Sequence, residues 1–90
     1  MKNGNYIIKY SKQALKDRDK LKNSGLEDVA KNILIIMMND PFAYPPSYEK
    51  LCGDLKGFYS RRINRQHRIV YKVLENKKEI LIYRMWTHYE

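Results

Sequence analysis

The segment GFYSRRINRQHRIVYKVL, residues 57–74, decides the fold. It contains two runs rich in β-branched and aromatic residues, 58–63 and 67–74, and both are typical of strands. The break between them, residues 64–66, is short and polar, as a hairpin connection should be. The Ile-Val-Tyr of residues 69–71 would place apolar side chains on both faces, so we expect the second strand to be central in its sheet.

Two further strands are predicted outside this hairpin. Residues 79–86 are strand-like and follow the polar break 75–78, which extends the hairpin to a three-stranded antiparallel meander. Near the N-terminus, residues 6–10 form another short β-branched and aromatic run, which predicts a first strand.

Two helices are predicted between the first strand and the hairpin. Ser11 can cap a helix over residues 12–22, whose charged residues 16–20 form its exposed side. Gly25 suits the left-handed position after that helix. A second helix covers residues 26–38, and its inward face is predicted from apolar residues at helical spacing: Leu26, Val29, Ala30, Ile33 and Met37.

The stretch that follows the second helix is a loop. The Asn-Asp-Pro of residues 39–41 ends the helix, and residues 41–48 contain all three prolines. The elements together predict the α+β class, with an N-terminal strand and two α-helices packed on one face of a small antiparallel sheet. A chain of 90 residues suits one such unit, so residues 1–90 are expected to form a single domain.

The few cysteines and histidines exclude several classes of protein. Cys52 is the only cysteine, so an internal disulfide is excluded. His67 and His88 lack the spacing of zinc ligands, and we expect neither a metal nor another cofactor. No apolar run approaches the roughly 20 residues of a membrane span, and the N-terminus does not resemble a signal peptide. A cytoplasmic protein that does not associate with membranes is therefore expected.

The charge of the chain favours a polyanionic partner. Lys and Arg total 18 against 10 acidic residues, a net charge of +8, which suits nucleic acid, an acidic protein or a membrane surface and does not choose among them. Residues 56–72 contain no acidic residue. They hold the basic residues Lys56, Arg61, Arg62, Arg65, Arg68 and Lys72, interleaved with Phe58, Tyr59, His67 and Tyr71. Arginines pair with phosphates and aromatic rings stack on unpaired bases, so this mixture suits single-stranded nucleic acid. The alternative is a solvated basic hairpin.

Three residues outside this argument can carry acid–base chemistry, although each has an ordinary structural interpretation. Glu49 follows a proline-rich loop, where a lone glutamate is usually a solvent-exposed surface residue. His88, beside Tyr89, is close to the C-terminus, where such a residue often lies at the surface. His67 lies within a strand and is more typical of a structural hydrogen-bonding residue than of a catalyst.

Taken together, these segments resemble one family. The chain has Gly-Phe-Tyr-Ser-Arg-Arg-Ile at residues 57–63, His-Arg-Ile-Val-Tyr at 67–71 and His-Tyr at 88–89. It also has Glu-Lys-Leu at 49–51, followed by Leu55. This pattern resembles the YoeB/Txe family of RelE-superfamily toxins along nearly the whole chain, which implies a RelE-like fold similar to that of small microbial ribonucleases.

The resemblance implies a toxin that cleaves messenger RNA in the ribosomal decoding site and so inhibits translation. Glu49 would then be the general base, Arg68 the group that stabilises the transition state and His88 the general acid. The further candidates for binding RNA are Arg62, Tyr89, Arg61, Arg65 and Lys56. The implied partners are an acidic YefM/Phd-like antitoxin, the 70S ribosome and mRNA, and a homodimer is also allowed.

The chain departs from the family pattern at three positions. Lys50 stands where the family usually has proline, Gln66 where it tends to have an acidic residue, and Glu90 follows the usual terminal tyrosine. Two other functions stay open at this point: a related toxin that acts on gyrase, and a non-catalytic basic module that binds nucleic acid. The joint presence of Glu49, Arg68 and His88 favours the ribonuclease.

Overall fold

The computed structural model describes residues 5–86. The strands are β1 (Ile7–Tyr10), β2 (Glu49–Lys50), β3 (Tyr59–Arg62), β4 (Arg68–Leu74) and β5 (Glu79–Arg84). The helices are α1 (Lys12–Asn23) and α2 (Glu27–Asn39), and single turns of 3₁₀ helix occur at Gly53–Leu55 and Glu75–Lys77. No helix in this part of the chain has the length and apolar character needed to cross a membrane.

The five strands form one sheet in the order β1-β5-β4-β3-β2. The predicted meander is confirmed, because β4 pairs antiparallel with β3 on one side and with β5 on the other, and β4 is the central strand of the sheet. The sheet is mixed and not purely antiparallel, since β1 pairs in parallel with β5 and sets Ile8 opposite Ile80. The sequence does not predict the two-residue strand β2, which pairs with β3. The α+β class with two helices is confirmed.

The ends of α1 form as the sequence predicts. Ser11 caps the helix, and its Oγ accepts a hydrogen bond from the backbone N–H of Ala14 at 3.0 Å. Gly25 has a φ of +82°, the left-handed conformation expected after the helix.

The prediction of the inward face of α2 is confirmed except at Val29. Ala30, Ile33 and Met37 are buried, whereas Val29 is 43% exposed, so the prediction for Val29 is wrong. Leu34 is buried and was not predicted. It lies four residues after Ala30 and three before Met37, which rotates the buried stripe of the helix away from Val29.

The core lies between the helices and one face of the sheet. From the sheet, Ile69, Tyr71, Ile80 and Ile82 join a single cluster with residues of both helices, among them Leu21 and Met37. Because side chains alternate along a strand, Ser60, Arg62 and Arg68 belong to the opposite face, as the pairing of β3 with β4 requires. We call this side, away from the helices, the open face.

Candidate active site on the open face

Glu49, Ser60 and Arg68 meet on the open face. Arg68 Nη1 donates to Glu49 Oε1 at 3.1 Å and to Ser60 Oγ at 3.1 Å. The strand pairing explains this meeting, because Ser60 on β3 is directly opposite Glu49 on β2. Glu49 and Arg68 are far apart in the sequence, but their strands β2 and β4 both lie next to β3. Two of the predicted catalytic residues are therefore brought together.

The Glu49 carboxylate is accessible to a substrate. Its side chain is 65% exposed, while that of Arg68 is only 15% exposed. An ion pair with so exposed a partner contributes about 0–1 kcal/mol to stability, so the fold does not depend on it. A shallow pocket lies directly beside the pair, lined by Ser47, Tyr48, Glu49, Ser60, Arg62 and Arg68. An exposed carboxylate beside a held guanidinium is suited to proton transfer next to a phosphate.

Arg62 adds a second cation to the same pocket. It is exposed, and it is the register partner of Arg68 across β3 and β4. Like charges placed directly opposite on neighbouring strands repel each other. A bound phosphate would relieve that repulsion, because two arginines can share its oxygens.

Two other predicted RNA contacts lie at the surface outside the pocket. Lys56 is exposed after the 3₁₀ turn Gly53–Leu55, and Arg65 is exposed in the turn between β3 and β4. Neither residue lines the pocket. Their predicted contacts with RNA therefore stay predictions, and they would be made outside the pocket.

Arg61 requires a correction. The sequence predicts that it binds RNA, but it is 1% exposed and lies on the helix-facing side of β3, where RNA cannot reach it. Its guanidinium donates to the carbonyl of Pro41 at 2.9 Å, to the carbonyl of Pro46 and to the Tyr71 hydroxyl at 3.1 Å. It also lies over the ring of Tyr48, 4.9 Å from the centroid. Arg61 therefore anchors the proline-rich loop 41–48, which leads directly into Glu49.

Tyr71 completes this anchor. Its hydroxyl donates to the Pro41 carbonyl at 3.1 Å and accepts from Arg61. Burial raises the pKa of Tyr71 to about 12, although the charge of Arg61 and its hydrogen bond act in the opposite direction. The phenol is therefore neutral at physiological pH and keeps its proton for the loop. Tyr59 stacks on Tyr71 with ring centroids 5.7 Å apart, so both tyrosines lie on the core side and not on the open face.

His67 makes a structural contact, as predicted. Its Nδ1 is hydrogen-bonded to the carbonyl oxygen of Trp86, and the two rings stack with centroids 3.9 Å apart and planes at 20°. This contact holds the chain where β5 ends, two residues before His88. His88 and Tyr89 themselves, and Glu90, lie outside the described residues, so their predicted roles stay predictions.

Asp17 has a structural role that the sequence does not predict. The charge pattern of α1 predicts an exposed position for Asp17, and that prediction is wrong, because the residue is 0% exposed. Its carboxylate accepts from Arg84 Nε at 2.8 Å and from the backbone N–H of Met85 at 3.0 Å. Burial raises the pKa of Asp17, but the hydrogen bonds from Arg84 and Met85 and the charge of Arg84 outweigh it and bring the pKa below its usual value. Asp17 thus fixes the end of β5 to α1.

The residues that are described offer no ready-made metal site. Among residues 5–86, no group of three or more His, Cys, Asp or Glu side chains is arranged to hold a metal ion.

The amino-acid sequence matches a known protein family. Residues 10–89 match the family model for the YoeB-like toxin of bacterial type II toxin-antitoxin systems. The chain belongs to this family. Two curated relatives named toxin YoeB are similar in sequence. The protein from Synechocystis is 38% identical over 60 residues, 66% of this chain and 67% of that protein. The protein from Streptomyces coelicolor is 42% identical over 50 residues, 56% of this chain and 57% of that protein.

Solved structures of YoeB-like toxins share the fold. A YoeB/ParE toxin from Agrobacterium tumefaciens has a TM-score of 0.84 at 24% identity, over 92% of this chain and 99% of that one. The YoeB–YefM complex from Staphylococcus aureus has a TM-score of 0.77 at 33% identity, over 91% and 95%. The YoeB dimer from the same organism has a TM-score of 0.81 at 30% identity, over 96% and 100%. The chain is accordingly a YoeB-type toxin of a toxin-antitoxin system with a RelE-like fold.

Proposed function

We propose that this toxin is a ribosome-dependent endoribonuclease that cleaves messenger RNA on its open face, without a metal ion. The observation that carries the proposal is the exposed Glu49 carboxylate, 3.1 Å from an Arg68 guanidinium that Ser60 also holds. These groups and Arg62 line one shallow pocket, so a base and two cations lie around the same small space.

The proposed reaction uses the nucleophile that RNA itself carries. Glu49 takes the proton of the 2′-hydroxyl, and that oxygen attacks the neighbouring phosphorus. Arg68 and Arg62 bind the non-bridging oxygens and stabilise the charge that develops on them. The bond from phosphorus to the 5′-oxygen breaks, and His88 donates the proton that this oxygen needs. The products are a 2′,3′-cyclic phosphate and a 5′-hydroxyl, with every atom accounted for.

The ribosome has a physical role in this scheme. Arg68 is already hydrogen-bonded to Glu49 and Ser60, so a substrate phosphate must compete for the same guanidinium. Free single strands are flexible and pay an entropic cost to enter that geometry, whereas a messenger held in the decoding site is already ordered. We therefore infer efficient cutting on translating 70S ribosomes and poor cutting of naked RNA. We also infer a cytoplasmic location, since translating ribosomes are found there.

The proposed neutralising partner is an acidic antitoxin of the YefM/Phd-like class. The S. aureus relative forms a YoeB–YefM complex, and the same organism provides a YoeB dimer. On this chain, the exposed basic residues around the pocket are complementary to an acidic segment: Lys56, Arg62, Arg65 and Lys72. The association rate with the cognate antitoxin should therefore fall as ionic strength rises. An association rate that does not depend on salt would rule out this surface as the docking site.

The direct test is single-turnover cleavage on programmed ribosomes. Glu49→Gln keeps the shape of the side chain but removes the base, and we expect a loss of roughly 10²–10⁴-fold in rate. Glu79→Gln is the matched control, because that glutamate pairs with Lys9 at the other end of the sheet, and its rate should stay within about twofold of wild type.

Two results would overturn the proposal. One is cleavage by Glu49→Gln at the wild-type rate. The other is a wild-type toxin that leaves ribosome-bound messenger intact and instead inhibits gyrase, which would favour the gyrase-directed alternative.

A further inference from the structure

A pair of aromatic rings lies on the open face beside the candidate active site. The rings of Phe58 and Tyr83 have centroids 5.2 Å apart and planes at 49°. Lys72 Nζ lies 5.5 Å from the centroid of Phe58. This cluster of one lysine and two aromatic residues is separate from the pocket, and none of its three members lines it.

The strand register explains why these side chains meet. Ser60 is opposite Val70 on the open face. Phe58 precedes Ser60 by two residues and Lys72 follows Val70 by two, so the side chains of Phe58 and Lys72 also belong to the open face. The pairing of β4 with β5 shifts register between Val70 and Tyr71. Val70 pairs with Arg84 and Tyr71 with Ile82, so Tyr83 is left as the extra residue between them. Tyr83 remains 39% exposed.

Packing of the protein core does not explain why Tyr83 and Lys72 are exposed beside Phe58. Phe58 helps to cover the sheet, since it is partly buried, but Tyr83 presents a large aromatic surface to solvent. Lys72 is also exposed, and its ammonium group lies over the ring of Phe58. Aromatic surface combined with a cation is the arrangement that binds unpaired bases and their phosphates without sequence preference.

We propose that Phe58, Tyr83 and Lys72 form a stacking subsite for one base of single-stranded RNA, next to the nucleotide at the cut. The proposal rests on the proposed ribonuclease function. Phe58, the residue directly before β3, and Ser60 are two residues apart in extended chain, about 7 Å. A strand of RNA whose phosphate lies between Arg62 and Arg68 can therefore set a neighbouring base against Tyr83, with Lys72 placed to bind the adjoining phosphate.

The test measures RNA affinity separately from cleavage. The ligand is a short labelled single-stranded RNA with a 2′-deoxy nucleotide at the cut, which cannot be cleaved by 2′-hydroxyl attack. Tyr83→Leu should weaken binding by about 5- to 100-fold, the range for loss of one stacked base. Tyr83→Phe should bind like wild type, because the ring is kept. Tyr44→Leu is the matched control: Tyr44 is 74% exposed but lies in the proline-rich loop, and its loss should leave affinity within about twofold of wild type.

An abasic RNA shows whether the ring contacts a base. Removing the base next to the cut should weaken binding to the wild-type protein by a factor similar to that of Tyr83→Leu. The same RNA should bind Tyr83→Leu no more weakly than intact RNA does, since the stacking partner is already missing.

Three outcomes separate the subsite from the reaction and from the protein partner. Equal RNA affinity of wild type and Tyr83→Leu overturns the subsite and leaves the ribonuclease proposal intact. If Tyr83→Leu weakens only the complex with the cognate antitoxin, the cluster belongs to the protein interface and the subsite proposal is wrong. If wild type binds RNA through Tyr83 but never cleaves it on ribosomes, the subsite stands and the ribonuclease proposal fails.

Discussion

Substitution by methionine should have different effects at the neighbouring residues Arg61 and Arg62: a loss of stability at the first and weaker RNA binding at the second. Arg61 is buried at 1% exposure and Arg62 is exposed, although they are adjacent in β3. Arg61→Met keeps much of the side-chain volume but removes the two hydrogen bonds to the loop 41–48 and the one to the Tyr71 hydroxyl. Arg62→Met removes a cation from the pocket and no part of this anchor.

The magnitude for Arg61→Met can be worked from its partners. The Pro41 carbonyl still accepts from the Tyr71 hydroxyl, so the Pro46 carbonyl is the acceptor that loses its hydrogen bond from Arg61. Leaving this part-buried carbonyl unsatisfied costs about 1–3 kcal/mol, and the lost contact with the ring of Tyr48 adds about 1 kcal/mol. Removing a buried cation recovers part of its desolvation cost. We expect a net loss of about 2–3 kcal/mol, out of the roughly 5–15 kcal/mol typical of a domain.

The assay combines unfolding with cleavage. Chemical denaturation should show the loss of about 2–3 kcal/mol for Arg61→Met, and thermal unfolding a fall in Tm of about 8–24 °C. Arg62→Met should unfold within about 0.5 kcal/mol of wild type, yet bind RNA more weakly. At a temperature where Arg61→Met is folded, its cleavage rate should still be reduced, because the loop before Glu49 is looser. Equal stability of the two variants, or full activity of folded Arg61→Met, would refute this reasoning.

Two further predictions concern the end of β5 and the division of labour in catalysis. Since the pKa of Asp17 is lowered in the folded state, its stabilisation is present above the unfolded pKa of about 3.9 and is lost as pH falls through the folded value. Asp17→Asn should therefore lower the free energy of unfolding at pH 7 by about 3 kcal/mol and should weaken the fall of that free energy at acidic pH. The control Asp19→Asn, at an exposed position of the same helix, should change neither. An equally steep fall at acidic pH for Asp17→Asn and wild type would contradict this. For catalysis, a substrate with a sulfur leaving group should partly restore His88→Ala but not Arg68→Ala, because only the first lacks a proton donor. Rescue of Arg68→Ala alone in that single-turnover assay would mean that the roles are reversed.

The sequence predicts the meander well because its evidence is local. Short polar breaks at 64–66 and 75–78 separate runs of β-branched residues, and hairpin geometry follows from such spacing. The parallel pairing of β1 could not be predicted in this way, because it joins segments about 70 residues apart and leaves no mark on either strand's composition. The meeting of Glu49 with Arg68 depends on β2, whose two residues are too few to give a periodic signal.

The periodicity of the sequence indicates that Arg61 and Asp17 are buried, although their charge predicts exposed positions. Arg61 alternates with Tyr59 and Ile63 along β3, so strand periodicity places it on the inward face. Asp17 lies three residues after Ala14 and four before Leu21, on the buried stripe of α1. Their charge nevertheless predicts surface positions, because charged side chains are seldom fully buried. Their hydrogen-bond partners, the carbonyls of the loop 41–48 and the end of β5, become apparent only in three dimensions.

The measurement that tests the central claim most directly is the chemistry of the cut ends. Messenger RNA on programmed ribosomes is incubated with the toxin, once as all-RNA and once with a single 2′-deoxy nucleotide at the cleavage position. Attack by the 2′-hydroxyl, with Glu49 as base, predicts a 2′,3′-cyclic phosphate and a 5′-hydroxyl from the first RNA and no cut at that position in the second. Cleavage of the 2′-deoxy substrate at a comparable rate, or a product with a 5′-phosphate, would contradict the mechanism.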